Sequence, residues 1–262
     1  MKILSLNINN FGGLTPKPLP NDYKNSFEKV DWKAWNNAVN KWRNEIDSDK
    51  NISKLMDYVK NNNIDIIVFH EFDINSVAGE NFTKELKKLS YKIVYPNTYC
   101  EDDFKKGNKS ITVMFIRVDY EILPYNFSEK MRNVEVKVGD RIFIGVHIPL
   151  GDKNFWDSMI ERYKSKKEED KLLIIGDMNV YDLGTTQKEK FIKLLSHGAV
   201  DAWGEKNNSM DRPTANTGRR IDYAIMTPSL YCELIDIVID DTIRNNCVTD
   251  HSAIMVEVKK FN

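Results

Sequence analysis

The stretch IDIIVFHE, residues 64–71, is an apolar run of strand length that stops on an imidazole and a carboxylate. The same form recurs elsewhere: KILSLN (2–7) ends at Asn7, RIFIGVH (141–147) at His147, and KLLIIGD (171–177) at Asp177, with Asn179 two residues on. In α/β sheets, ligands gather outside the carboxyl ends of strands, where a side chain leaves the core but keeps a rigid support. Alone, each of these residues has a plain structural use, such as capping a turn or pairing with a surface lysine. Together they would bring an amide, an imidazole and two carboxylates to one rim.

Working outward, further apolar runs at 91–95, 111–118, 134–138, 221–226, 234–239 and 253–258 read as strands, and helical patterns fill 52–60, 82–89, 154–166 and 188–195. Gly139 and Asp140 between two runs form a hairpin turn, which demands antiparallel pairing and excludes a purely parallel sheet. The later runs enter the rim from the opposite direction. RRIDYAI places Asp222 near the start of its strand, and TDHSAI places Asp250 and His251 before theirs. Within a strand Asp250 and His251 would face opposite ways, so they cannot form an orienting pair. Asp222 can instead hold His251 in one tautomer and stabilise its cation.

The 262 residues carry 38 Lys and Arg against 39 Asp and Glu, a composition for a soluble globular chain with a real core. A net charge of -1 gives no global basic field, so attraction to nucleic acid would need local patches or bound cations. Cys100, Cys232 and Cys247 are odd in number and widely spaced, against a disulfide framework or a zinc site. With no secretory pattern at the N-terminus and no membrane-length window, a cytoplasmic protein without membrane partners is expected.

Residues 15–49 look like an insertion. Trp32, Trp35, Val39, Trp42 and Ile46 fall at helical spacing on one apolar stripe, to be packed on the core or used as a platform for stacked bases. The rim itself is rich in oxygen and free of thiolates, which suits Mg²⁺ or Mn²⁺. The residues therefore read as machinery for metal-assisted attack of water on a phosphate ester.

In this order, LNINNFGG, HE, HIP, GDMN, RRIDY and TDH resemble the motifs of the endonuclease/exonuclease/phosphatase (DNase I-like) superfamily across nearly the whole chain. The resemblance implies a single domain over 1–262 with a four-layer α/β sandwich, two mixed β-sheets packed face to face and flanked by helices. It implies that Glu71 holds Mg²⁺ with Asn7 beside it and Asp250 near the metal. Asp177 would orient or deprotonate the attacking water, Asn179 bind the phosphate, His147 and His251 stabilise its charge, and Asp222 hold His251.

The opening is similar to the AP endonuclease and exonuclease branch, with departures. His70 stands where the family usually has glutamine, the insertion replaces a short link, and the repair enzymes' aromatics are missing before ITVMFIR and from NNSMDRPTANTG. Arg219 and Arg220 are candidate substrate contacts; KKGNK (105–109) and KSKK (164–167) are basic clusters able to track a phosphate backbone. The expected activity is a monomeric, Mg²⁺-dependent phosphodiester hydrolase acting on nucleic acid, DNA first. The alternatives are the same machinery acting on a phospholipid head group, inositol phosphate or nucleotide, and a non-catalytic binding module.

Overall fold

The structure is a computed structural model, and it describes all residues except 16, 19, 26–27, 75, 97–109, 124–126, 128–130, 181–184, 207–208, 210 and 261–262. KKGNK, Cys100 and part of NNSMDRPTANTG therefore lie outside the described residues.

The first sheet contains β1 (Lys2–Asn7), β2 (Ile66–Asp73), β3 (Lys92–Val94), β4 (Ser110–Ile116), β11 (Leu234–Asp240) and β12 (Ala253–Val258), in the order β11-β12-β1-β2-β4-β3. The second contains β5 (Glu121–Ile122), β6 (Asn133–Val138), β7 (Arg141–His147), β8 (Lys171–Asp177), β9 (Val200–Asp201) and β10 (Asp222–Met226), in the order β5-β6-β7-β8-β10-β9. Each sheet has one parallel pair at its centre, β1 with β2 and β7 with β8, and antiparallel neighbours elsewhere. The Gly139–Asp140 turn makes the expected hairpin, with Val138 opposite Arg141 and Gly139 at φ 60°.

Three apolar clusters separate four layers. Ile3, Val68, Met114 and Val256 of the first sheet meet Val136, Phe143, Ile175 and Ala224 of the second between the sheets. Outside the first sheet, Leu55 and Val59 of the helix Ser48–Asn62 and Phe82 and Leu86 of Val77–Lys88 cover Leu4, Ile67 and Phe115. Outside the second, Phe155, Trp156 and Ile160 of Lys153–Lys164 and Phe191 of Thr186–Ser196 cover Ile144, Ile174 and Ile225. The central strands are apolar on both faces because both faces are covered. Side chains of Asp47, Ser76, Asp152 and Thr185 cap these four helices, each accepting an N–H of the first turn.

Two glycines set the gap between the sheets near the rim. A Cβ on Gly145 would lie 2.4 Å from Val68 Cγ1. One on Gly176 would meet the Val146 carbonyl at 1.9 Å and the His70 ring at 2.7 Å.

The tryptophan-bearing helix, Trp32–Glu45, is capped by Asp31 and buries Trp35, Val39 and Trp42. Trp32 is the correction to the expected stripe: it is 59 % exposed and meets only the edge of Trp35 among the ring contacts of the described residues. It stands at the first position of the helix, directly after the Asp31 cap. Trp42 and Trp35 donate to the Thr15 and Pro18 carbonyls, and Arg43 Nη2 and Lys17 Nζ converge on buried Asp73 at 2.5 and 3.4 Å. Asp73 is two residues beyond Glu71, so the segment carrying this helix borders the rim.

Candidate active site

Glu71 reaches the rim through a fault in β2. Phe69 pairs with Val113 and Phe72 with Ile111, so His70 and Glu71 together face Thr112, a β-bulge, and Glu71 adopts φ 52°. Phe69 and Phe72 both pack on the helix side. Without the extra residue Glu71 would follow Phe69 into that apolar layer; the bulge turns it out. A left-handed conformation in a residue with a side chain costs on the order of 1–3 kcal/mol, held here by the surrounding contacts.

His70 turns inward and is fully buried between the sheets, its Nε2 3.0 Å from Ser5 Oγ and its Nδ1 3.3 Å from Thr112 Oγ1. Burial foremost pushes its pKa down to about 3, so the ring is neutral. The histidine in the usual glutamine position thus makes two hydrogen bonds to neighbouring strands.

Asn7 joins the two sheets: its Nδ2 donates to Glu71 Oε1 at 3.3 Å and to Asp177 Oδ2 at 3.1 Å, while its Oδ1 accepts the Asn9 N–H. His147 Nε2 stands 3.8 Å from Glu71 Oε1 and 3.7 Å from Asp177 Oδ2, beyond hydrogen-bond length. Asn179, at φ 51°, donates its N–H to Asp177 Oδ1 and its Nδ2 to the Ile148 carbonyl.

On the other side of Asp177, His251 Nδ1 meets Asp222 Oδ2 at 2.9 Å, with both side chains buried. Thr214 Oγ1 accepts the N–H groups of Ile221 and Asp222 and fixes the start of β10. Burial disfavours the His251 cation, but Asp222, with Asp177 and Asp250 behind it, outweighs burial and raises its pKa to about 10. Burial and then the Asp222 charge hold Asp177 well above the usual carboxylate range, with Glu71 adding to the effect. Asp250 is half-buried; its carbonyl accepts the Asn216 N–H, and the preceding Thr249 hydroxyl donates to the Asn7 carbonyl.

Two residues at the rim were absent from the sequence reading. Asn10, at φ 52°, donates to Glu71 Oε2 at 3.2 Å and bonds Ser110. Arg132, just before β6, places Nη1 2.8 Å from His147 Nδ1. Asn10 lay inside the quoted LNINNFGG, and asparagine's tolerance of left-handed backbone was the available signal. Arg132 could have been found by the argument that found His251, since it precedes a strand antiparallel to one ending at the rim.

The two arginines of RRIDY part company. Arg219 is exposed, in a turn whose Asn216 bonds Asp250. Arg220, expected to touch substrate, is buried in a two-pronged pair with Asp201, at 2.9 and 2.6 Å, with its guanidinium over Tyr223. KSKK closes the helix Lys153–Lys164, which starts beside the His147 loop and runs about 18 Å away from it. Two of its three lysines pair locally, Lys164 with Glu161 and Lys166 over Tyr163, away from the rim.

The donor set suits a hard cation. Glu71 presents a carboxylate 29 % exposed at the rim, each oxygen holding one amide donor and retaining further lone pairs. Burial is the main reason the Asp177 pKa is raised, and a cation there would offset the smaller contribution of the neighbouring carboxylates. Asp177, Asp222 and His251 also offer ligand atoms within 4.8 Å of one another and could hold a metal ion. There, however, His251 Nδ1 is engaged by Asp222, and an imidazolium already supplies positive charge.

No family model and no curated relative matches the sequence. Solved structures do. An AP endonuclease from Archaeoglobus fulgidus aligns at TM-score 0.67 with 15 % identity, covering 99 % of this chain and 100 % of that one. The 3′ phosphatase NExo from Neisseria, bound to a product DNA hairpin, aligns at 0.65 with 14 % identity and the same coverage. An endonuclease/exonuclease/phosphatase family protein from Leptotrichia buccalis aligns at 0.59 with 15 % identity, again over 99 % and 100 %. Two six-stranded mixed sheets between helical layers, matched end to end by these structures, give this chain the DNase I-like fold of the endonuclease/exonuclease/phosphatase superfamily.

Proposed function

We propose that this chain is a single-domain, divalent-cation-dependent phosphodiester hydrolase acting on nucleic acid, DNA first. The observation that carries the reading is the convergence of Asn7, Glu71, His147, Asp177, Asp222 and His251 between the ends of the two sheets. Structural neighbours include an AP endonuclease and a phosphatase bound to DNA, which favours the same substrate class here.

In this reading Glu71, with Asn7 and Asp250 nearby, holds Mg²⁺, or Mn²⁺ in its place. The ion, when bound, compensates negative charge on the phosphate oxygens. Asp177 orients the attacking water and takes its proton, a role suited to a carboxylate whose proton affinity is raised by burial and by Asp222. Asn179 and His147 donate to phosphate oxygens, the His251 cation faces the developing charge, and Asp222 keeps that cation oriented. Arg219 contacts a flanking phosphate. We take the protein to be a cytoplasmic monomer, a location supported by the free thiols of Cys232 and Cys247. Among the described residues no helix is long and apolar enough to cross a membrane.

A second reading, hydrolysis of a phospholipid head group, inositol phosphate or nucleotide, is favoured by the engagement of Arg220 with Asp201 and the removal of KSKK from the rim. One panel decides: single-stranded, double-stranded and abasic DNA, RNA, nucleotides, inositol phosphates and phospholipids, each with Mg²⁺ and with EDTA. DNA should be cut only with Mg²⁺. Intact DNA beside another hydrolysed ester would install the second reading, and no hydrolysis of any ester would reject both.

A further inference from the structure

The two imidazoles at the rim are held by partners of opposite hydrogen-bonding character. His251 presents Nδ1 to a carboxylate, Asp222, which only accepts when ionised, so Nδ1 carries a hydrogen. His147 presents Nδ1 to the Arg132 guanidinium at 2.8 Å, and a guanidinium only donates. Nδ1 of His147 must therefore offer its lone pair, which puts the ring hydrogen on Nε2, the nitrogen aimed between Glu71 and Asp177. An inverted ring tautomer would set two hydrogens against each other across that 2.8 Å contact.

The scaffold keeps Arg132 in place. It is half-buried immediately before β6, and its carbonyl accepts the His147 N–H at 2.8 Å, so backbone and side chain grip the same residue. The Glu71 and Asp177 carboxylates lie on the Nε2 side, and His70 is edge-on with centroids 6.3 Å apart, too far to compete for Nδ1.

We propose that Arg132 is a positioning residue that fixes His147 in the tautomer whose Nε2 donates to a phosphate oxygen of the substrate. The inference rests on the phosphoesterase reading for its purpose, but the tautomer itself is observable without substrate. His147 gives the oxygen a hydrogen bond from a ring with its orientation already set, and the guanidinium behind it polarises that bond. The rim thus combines two differently prepared imidazoles, one locked as an Nδ1–H donor to carboxylate and the other as an Nε2–H donor to substrate.

The test is a long-range proton–nitrogen correlation spectrum of the imidazole rings, recorded on full-length protein in EDTA. The chain has four histidines, and His251, an imidazolium with hydrogens on both ring nitrogens, serves as the internal reference against which a bare Nδ1 stands out. His147 should show an unprotonated Nδ1 and a protonated Nε2. Arg132→Leu should average the two tautomers and lower kcat about tenfold or more with a smaller change in KM; Arg132→Lys, which keeps a donor, should restore both. A protonated Nδ1 in the native protein, or an unchanged His147 spectrum in Arg132→Leu, overturns the proposal. Should Arg132→Leu not fold, the native spectrum and Arg132→Lys still decide. The expected tautomer in a protein that hydrolyses no phosphate ester would reject the proposed function and leave the assignment of Arg132 standing.

Discussion

Replacing His70 with glutamine should flatten the acid limb of the stability curve. In the folded protein burial holds this imidazole at a pKa of about 3, against 6.5 for an ordinary histidine. The folded value is depressed, so between these two pH values the unfolded chain binds a proton that the folded chain refuses. Stability present above about pH 6.5 is therefore lost as pH falls towards 3, at about 1.4 kcal/mol per pH unit. Between neutrality and about pH 4 the native protein should lose roughly 3 kcal/mol from this group. Glutamine keeps a donor and an acceptor for Ser5 and Thr112 but does not titrate. Urea unfolding in EDTA, followed by tryptophan fluorescence from neutrality down to about pH 4, measures the difference between the two proteins. Any fixed cost of the substitution displaces the glutamine curve uniformly, and titrations common to both proteins cancel. Parallel curves would show that the ring is charged in the fold or titrates normally, and would refute the inter-sheet account of His70.

Other perturbations probe other parts of the rim. Asp177→Ala and His251→Ala should each lower turnover by about a thousandfold or more while the circular dichroism spectrum stays native; unchanged activity in both would sink the mechanism. Asp222→Asn should bring His251 down from its pKa of about 10 towards the ordinary value, followed by NMR titration. This is the raised case, so the pair's stabilisation is complete below about pH 6.5 and disappears as pH climbs through about 10; a variant with the native pH dependence would contradict it. Glu71→Gln should weaken Mg²⁺ binding by calorimetry about tenfold or more, and native affinity would move the cation elsewhere. Gly145→Ala should cost about 1–3 kcal/mol by forcing a methyl group against Val68, read as a lower Tm.

The ten longer strands among the described residues were legible as mainly apolar runs, continuous in KLLIIGD and alternating in NVEVKV, and the face-to-face sandwich followed from the ordered motifs. The two-residue strands Glu121–Ile122 and Val200–Asp201 are too short to carry a period. Strand ends predicted the gathering of Asn7, Glu71, His147 and Asp177, since where an apolar run stops is a local property. What those side chains grip is not local. Ser5 and Thr112 flank His70 from two other strands, and Asp201 claims Arg220 from 19 positions away. The bulge at Glu71 was hidden because its evidence is the pairing of β2 with β4. Trp32 looked like one more member of a stripe because periodicity reports which face of a helix a residue is on and not whether anything packs against that position.

The close approach at Gly145 and Gly176 has a consequence for how such a protein could change its substrate. Glu71 and Asp177 belong to different sheets, so their separation is a dimension of the interior, set by atoms that substrate never meets. Remodelling the surface loops would alter what is admitted but leave the reacting groups at their spacing. A single methyl group at Gly145, buried between the sheets, would instead act like a shim in a vice and open the jaws themselves. Variation at these buried glycines, rather than at the rim, is where a shift in the chemistry of this scaffold would begin.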